Sequence, residues 1–398
     1  MTHIDICIIG GGPAGCVAAR DLARAGFQVL VCEEHPTVGL PVDCSGVIGT
    51  EAFDRLSLPR ETIRDTLQDI DFVSPSGKRV AFRPQRILAY LVDRAAFDVS
   101  LAQCARAAGS TIWTSACVKT VEPAEDHVRL TVRHHGDLVE VRAQAVVLAG
   151  GPRYRFQQQL GMGVPERYLK TVQAEVDGSK GGTPQIFLGS RVALGSFAWW
   201  LPVKSGDGYR AKVGISAVGD GQRAFQAFLD VLQDQGYLDD GDIPYRAWML
   251  PITPLPRTYG DRVVVVGDAA GQTKPTTGGG LYYGPLCATI AAEVLIDGFR
   301  CGNLSAPFLA QYESRWRRLL NRELATAHRF RRLLECLSDA EIEQLFDLAS
   351  QDGLLTYLQD EANFDWHRRT ILQGALRLPA VATFLVRLRR RQLAELVS

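Results

Sequence analysis

Asp5-Ile-Cys-Ile-Ile-Gly10-Gly-Gly12-Pro-Ala-Gly15-Cys-Val-Ala-Ala19 runs from apolar residues through three spaced glycines into a helix-forming stretch. The spacing is G-x-G-x-x-G, the pattern of a strand–turn–helix that binds a dinucleotide. Gly10 permits the tight turn, Gly12 leaves the backbone open to a pyrophosphate, and Gly15 lets the helix pack against the strand. The helix N-terminus offers unpaired N–H groups and the positive end of a dipole to phosphate. The context agrees. Ile4 to Ile9 read as a strand, Val17 to Ala25 as a helix stopped by Gly26, and Phe27 to Cys32 as a second strand. That strand ends at Glu33 and Glu34, about 20 residues beyond the glycines, where an acidic side chain accepts ribose hydroxyls. Glu33 is the better placed for this, with Glu34 a solvated neighbour.

Composition narrows the classes. The 398 residues suffice for two or three domains, and 46% hydrophobic content excludes disorder. Lys+Arg and Asp+Glu both number 44, a balance that argues against nucleic acid as a partner. The nine cysteines are odd in number and none stands in a C-x-x-C pair, which argues against a disulfide framework, a zinc ribbon or an iron–sulfur cluster. No metal ligand set is expected, and a reducing cytoplasm is the natural compartment. The first strand begins by residue 4, so no signal peptide is expected, and no apolar run is long enough to span a bilayer.

Further along, residues 36–50 form a loop rich in Gly, Pro and small residues, long enough to suggest a functional role. Residues 66–91 read as strands inserted from another domain, Asp93 opens a helix to about Ala108, and Thr111–Val121 and Val128–Arg133 read as strands with a hairpin at His134–Asp137. Val141–Leu148 is a further strand. From about 160 to 252 alternating apolar segments predict an antiparallel sheet, interrupted by an amphipathic helix near Arg223–Gln235. Residues 263–267 predict a buried central strand, and 303–398 are mostly helical.

A second nucleotide signal lies in Asp261-Arg-Val-Val-Val-Val-Gly267-Asp268-Ala-Ala-Gly271. NAD dehydrogenases have no need of this strand–Gly–Asp element. Flavoproteins of the glutathione-reductase and hydroxybenzoate-hydroxylase type possess it, with the Asp on the ribityl chain, so the pair of signals points to FAD. Downstream, Lys274-Pro-Thr-Thr-Gly278-Gly279-Gly280 places bare backbone and a following helix N-terminus where negative charge on a reduced flavin is stabilised. The expected fold is α/β. A doubly wound FAD-binding domain of glutathione-reductase type takes residues 1–65, 92–155 and 253–300. An antiparallel-sheet substrate domain takes 66–91 and 156–252, and a helical region takes 301–398.

Five segments together resemble the geranylgeranyl reductase family of FAD-dependent oxidoreductases: Gly10–Gly15, Pro41-Val-Asp-Cys44-Ser-Gly46, Asp93-Arg94-x-x-Phe97-Asp98, Phe197-Ala-Trp199-Trp200-Leu-Pro202, and Gly267-Asp268 with Pro275–Gly280. The resemblance covers roughly residues 1–300. It implies reduction of isolated C=C bonds in a prenyl chain of an ether lipid, a chlorophyll precursor or a quinone. It places Ala14, Glu33, Gly46, Arg94, Val118, Asp268, Gly279, Gly280 and Leu281 on FAD, Cys44 beside the flavin in a catalytic role, and Trp199, Trp200 and Pro202 along the prenyl channel. One departure is Ala149-Gly150-Gly151, where the wider superfamily often carries Ala-Asp-Gly; no site residue is placed there.

The residues themselves rationalise these roles. An isolated alkene needs a proton at one carbon as hydride arrives at the other, and reduced flavin delivers hydride. A buried thiol stays protonated at neutral pH, which makes Cys44 a candidate proton donor, although a small buried cysteine filling space is the commoner case. Strand alternation points Trp199 and Trp200 to opposite faces, so one of them faces the ligand. Arg94, opening a helix, is a candidate pyrophosphate contact. Arg377, Arg387, Arg389, Arg390 and Arg391 among Leu, Val and Phe form a basic amphipathic segment suited to anionic lipid, and equally to a solvated helix face. The competing function is an FAD-dependent aromatic monooxygenase of the same fold, and a third is a non-enzymatic electron-transfer subunit. No second fingerprint names the electron donor, leaving NAD(P)H and ferredoxin both open.

Overall fold

The computed structural model describes residues 2–395 except 178–179, 207, 240 and 352. Strand Thr2–Ile9 sits in the middle of an eight-stranded sheet, paired in parallel with Asp137–Leu148 on one side and Val29–Cys32 on the other. Its apolar residues alternate between two cores. Ile6 and Ile8 face helices Pro13–Arg24, Arg94–Ala107 and Tyr283–Arg300, while Cys7 and Ile9 face the antiparallel strands Ala116–Pro123 and Val128–His134. Burial on both faces explains why this strand reads as a continuous apolar run.

The expected strand Thr111–Val121 is broken at Ser115, whose φ is +51°. Thr111–Trp113 extends the parallel sheet beside Val29–Cys32, and Ala116–Pro123 turns away to pair with Val128–His134. The hairpin closes with His134 opposite Asp137, and both turn residues, His135 and Gly136, have positive φ. The expected central strand is Val263–Val265. It lies second from the edge, beside the two-residue strand Tyr259–Gly260, and is fully buried because Val264 enters the helical core while Val263 and Val265 enter the core shared with strands Ala116–Pro123 and Val128–His134. An apolar run reports burial, not order within a sheet, which is why the pattern could not distinguish the two.

The second sheet has seven strands in the order Arg246–Pro251, Tyr168–Asp177, Gly208–Ala217, Phe197–Ser205, Gln185–Phe187, Ile70–Val73 and Arg79–Phe82. Helix Gly221–Asp234, capped by the Asp220 carboxylate on the Gln222 and Arg223 amides, covers one face with Phe225, Phe228 and Leu232. The inserted 66–91 stretch divides. Ile70–Val73 and Arg79–Phe82 join this sheet, whereas Ala89–Val92 pairs with Val47–Gly49 and Ile63–Leu67 in a separate three-stranded sheet. The 36–50 loop is correspondingly shorter, ending at strand Val47–Gly49 and helix Thr50–Leu56. The last quarter is helical: Ala306–Glu335, Asp339–Gln351, Leu354–Glu361, His367–Arg377 and Pro379–Glu395. The side chains of Arg389, Arg390 and Arg391 lie outside the described residues.

Candidate functional site

The two glycine-bearing turns meet. A Cβ on Gly267 would stand 3.0 Å from the Ala14 Cβ, and one on Gly284 would stand 3.1 Å from the Gly267 Cα. Gly10 (φ +105°) could not carry a side chain, since a Cβ there would lie 2.5 Å from the Ala149 carbonyl oxygen, and a Cβ on Gly15 would lie 2.0 Å from the Gly10 oxygen. Gly12 differs: nothing lies within 4 Å of its Cβ position, and no side chain caps the first turn of helix Pro13–Arg24. The crowded glycines shape the turn and the open one leaves space at a helix N-terminus, the arrangement a pyrophosphate requires.

Asp268 stands at the other wall. Gly280 packs on it, with a Cβ there falling 2.6 Å from Asp268 Oδ1, so the glycine-rich loop runs directly past the carboxylate. No described group donates a hydrogen bond to that carboxylate, and burial pushes its pKa up to about 6, with Arg94 pulling it down. A half-buried, unpartnered acceptor of this kind suits the hydroxyls of a ribityl chain. Within the loop, Gly279 packs against Lys274 and Gly278 (φ +75°) against Leu250, while Leu281 packs on the helical core.

At the far end of strand Val29–Cys32, Glu33 Oε2 accepts from the Gly11 amide at 2.8 Å. Its other oxygen accepts from the His35 amide at 2.9 Å and meets His35 Nδ1 at 2.7 Å. Glu33 thus ties the glycine turn to the strand end, with one acceptor site on Oε2 still free for a hydroxyl. Glu34 is paired with Arg153 at 2.6 Å instead of being merely solvated. Val118 is buried in the core beside Cys32, on the strand that starts where Ala116 N donates to the Glu33 carbonyl.

Cys44 is half-buried and lies against the guanidinium of Arg94. Arg94 is anchored by Asp98, at 2.8 and 3.2 Å, on a helix capped by Asp93. Gly46 (φ +77°) is forced by the same crowding: a Cβ there would sit 2.7 Å from the Val92 oxygen and 3.0 Å from Arg94 Cγ. Arg94 thus contacts Cys44, and its charge also acts on Asp268. Lys212, which the sequence did not single out, reaches this turn from the seven-stranded sheet. Its Nζ donates to the Ser45 carbonyl at 2.9 Å and the Val92 carbonyl at 3.3 Å.

The sheet separates the two tryptophans. Trp199, Gly214 and Gln173 are in register on the face carrying Lys212 and Leu201, and the Trp199 indole lies over Gly214, where a Cβ would be 2.3 Å from the ring. Trp200 and Pro202 share the opposite parity, and Trp200 is fully buried against helix Gly221–Asp234 and Tyr237. Trp199 packs with Leu67, Ala89, Leu91, Leu201, Val203 and Phe364. Thr171 Oγ1, Gln173 Oε1 and Trp199 Nε1 on this face are buried without a partner among the described residues. Thr171 and Gln173 carried no motif; only their register with Trp199 singles them out.

Comparison with known proteins bears on the fold and the family of the chain. Residues 4–180 match the pyridine nucleotide-disulphide oxidoreductase family model. A digeranylgeranylglycerophospholipid reductase 2 from Methanothermobacter thermautotrophicus is 32% identical over 361 residues, 88% of this chain and 92% of the relative. A digeranylgeranylglycerophospholipid reductase from Methanocaldococcus jannaschii is 27% identical over 364 residues, again 88% and 92%. Among solved structures, a geranylgeranyl bacteriochlorophyll reductase-like protein from Thermoplasma acidophilum superposes with a TM-score of 0.85 at 22% identity, over 98% of this chain and all of the other. A p-nitrophenol 4-monooxygenase from Pseudomonas putida shares the fold less closely, with a TM-score of 0.70 at 20% identity, over 90% of this chain and 97% of the other.

Proposed function

The chain belongs to the digeranylgeranylglycerophospholipid reductase family, and from that premise we propose that it is an FAD-dependent oxidoreductase reducing the C=C bonds of geranylgeranyl chains on a lipid. The observation that carries the reading is the bridge from Lys212 to Ser45. It joins the apolar Trp199 face to the Cys44 turn, so that an apolar chain and the space lined by Gly12, Asp268 and Gly280 become neighbours.

When bound, reduced FAD supplies the hydride. The chain's own residues do the rest. The Gly12 turn and the open helix N-terminus receive the pyrophosphate, Glu33 the adenosine ribose, and Asp268 the ribityl hydroxyls. Trp199, Leu201 and Val203 present an apolar wall to the prenyl chain and exclude water from it. Cys44 holds the proton that the second alkene carbon needs, beside the Arg94 guanidinium that stabilises the charge left on sulfur.

The electron donor is NAD(P)H or a ferredoxin. No single described helix is long and apolar enough to cross a membrane. Leu376 is 84% exposed, with Leu372 and Val386 also exposed near Arg377 and Arg387. This apolar and basic surface suits peripheral contact with anionic lipid.

Purified protein, chemically reduced under strict anaerobiosis and given an unsaturated digeranylgeranyl lipid, is expected to yield products heavier by two hydrogens per bond. Oxygen-dependent hydroxylation of an aromatic, with no anaerobic turnover of any prenyl lipid, would select the monooxygenase reading instead.

A further inference from the structure

Lys212 is an ammonium group at the end of a sheet face that is otherwise apolar around Trp199, and its residue is only 7% exposed. Such a charge is costly to bury without partners. Two of its three hydrogens go to the Ser45 and Val92 carbonyls, the backbone just after Cys44 and two residues before Arg94. The third is not satisfied by a close anion, because Glu175 Oε1 stands at 3.8 Å. The charges around this centre come from four elements. Arg94, with Asp98 behind it and Asp93 at the cap, comes from the helix. Glu175 comes from the neighbouring strand. Asp43, paired with Arg246 of the strand beyond, precedes Cys44. The Asp98, Asp43 and Glu175 carboxylates are thus each paired with an arginine, Glu175 with Arg210 at 3.6 Å, and the third hydrogen of Lys212 has no partner closer than Glu175 at 3.8 Å.

We propose that Lys212 is the positioning residue for Cys44: it clamps the Cys44–Gly46 turn to the substrate sheet and, with Arg94, makes the electropositive surround in which this thiol loses and regains its proton. The inference rests on the prenyl-reductase reading for its purpose, and on geometry alone for the clamp. In the first step the S–H bond of Cys44 breaks, the electron pair stays on sulfur, and the proton ends on the substrate carbon. In the second a water O–H bond breaks, its proton returns to sulfur, and the hydroxide leaves to solvent. The net movement is one proton from solvent to product, and Lys212 keeps its charge throughout.

The test labels the FAD-loaded protein with iodoacetamide across a pH series and quantifies the Cys44 peptide by mass spectrometry, since the exposed Cys301 and Cys336 also react. Removing the ammonium in Lys212→Met should slow Cys44 labelling at neutral pH about tenfold and displace its profile to higher pH. Lys212→Arg should restore the labelling profile, because the charge returns. An unchanged Cys44 profile in Lys212→Met overturns the proposal, as does faster labelling with no displacement, which would mean a loosened turn and nothing more. Should Lys212→Met fail to fold, Lys212→Gln is read in the same way, and an unchanged Cys44 profile there overturns the proposal. A protein inert towards every prenyl lipid defeats the functional reading, yet leaves the labelling result to decide the clamp.

Discussion

Lys274 Nζ and Asp365 Oδ1 form an ion pair at 2.8 Å, with both side chains at most 4% exposed. The pair joins the glycine-rich loop to the segment before helix His367–Arg377. The same ammonium donates to the Phe364 carbonyl at 3.0 Å and lies 4.2 Å above the Phe364 ring. Tyr283 Oη donates to the Asp365 carbonyl at 2.6 Å, and the Asp365 carboxylate packs so closely on Gly49 that a Cβ there would be 1.8 Å away. A segment of the helical region thus fixes the loop that passes Asp268, and inserts Phe364 among the residues around Trp199.

Breaking one half of this pair strands the other charge in the interior. Asp365→Ala should destabilise the fold by about 3–5 kcal/mol, whereas the apolar double replacement Lys274→Met with Asp365→Leu should cost much less. Denaturant unfolding of the three proteins measures the difference. Equal losses in the single and double variants would show that the pair is not the pin.

Acid should loosen the same segment. Burial, and then the nearby Lys274 charge, lower the pKa of His367 from 6.5 to about 4. Between those values the unfolded chain holds a proton that the folded chain does not. The stability is therefore complete above pH 6.5 and is lost as pH falls towards 4, by about 3 kcal/mol in all. Unfolding midpoints measured from pH 7 to 4 should fall in the wild type and fall less in His367→Gln.

The glycines of the first turn divide into two kinds. Gly15→Ala should not fold normally, because its Cβ would meet the Gly10 oxygen at 2.0 Å. Gly12→Ala meets nothing in the protein and should fold with wild-type stability while retaining little FAD. Circular dichroism and flavin absorbance separate the two outcomes; Gly12→Ala with full flavin occupancy would place the pyrophosphate elsewhere.

Asp268→Asn keeps the shape but removes the charge that burial disfavours. The folded pKa of about 6 lies above the ordinary 3.8. The apo-protein is therefore most favoured below pH 3.8 on this account, and loses that contribution as pH rises through 6. Asn should leave apo-protein stability at pH 7.5 equal or greater while weakening FAD retention, read by equilibrium dialysis.

The two tryptophans should part company. Trp200→Ala should lower stability by about 3–5 kcal/mol through the cavity it leaves against helix Gly221–Asp234. Trp199→Ala should chiefly raise KM for prenyl substrate. Loss of substrate binding in Trp200→Ala at a temperature where it remains folded would reverse their roles.

The local chemistry of the nucleotide turns was legible in the residues alone. Gly10, Gly12, Gly15, Gly267 and Asp268 announce themselves because a tight turn restricts which residues fit within a few positions. The α/β class and the antiparallel sheet followed from periodicities that are equally local. The Trp199–Trp200 alternation was legible too, but not which face meets the ligand, since the same parity serves either side of a sheet until helix Gly221–Asp234 covers one of them. The place of Val263–Val265 in its sheet, the reach of Lys212 to Ser45 across 167 positions, and the Lys274–Asp365 pin across 91 were decided by the tertiary structure. Lysine and aspartate are ordinary surface residues in any local window. Only packing removes them from water, and only burial turns their charges into constraints.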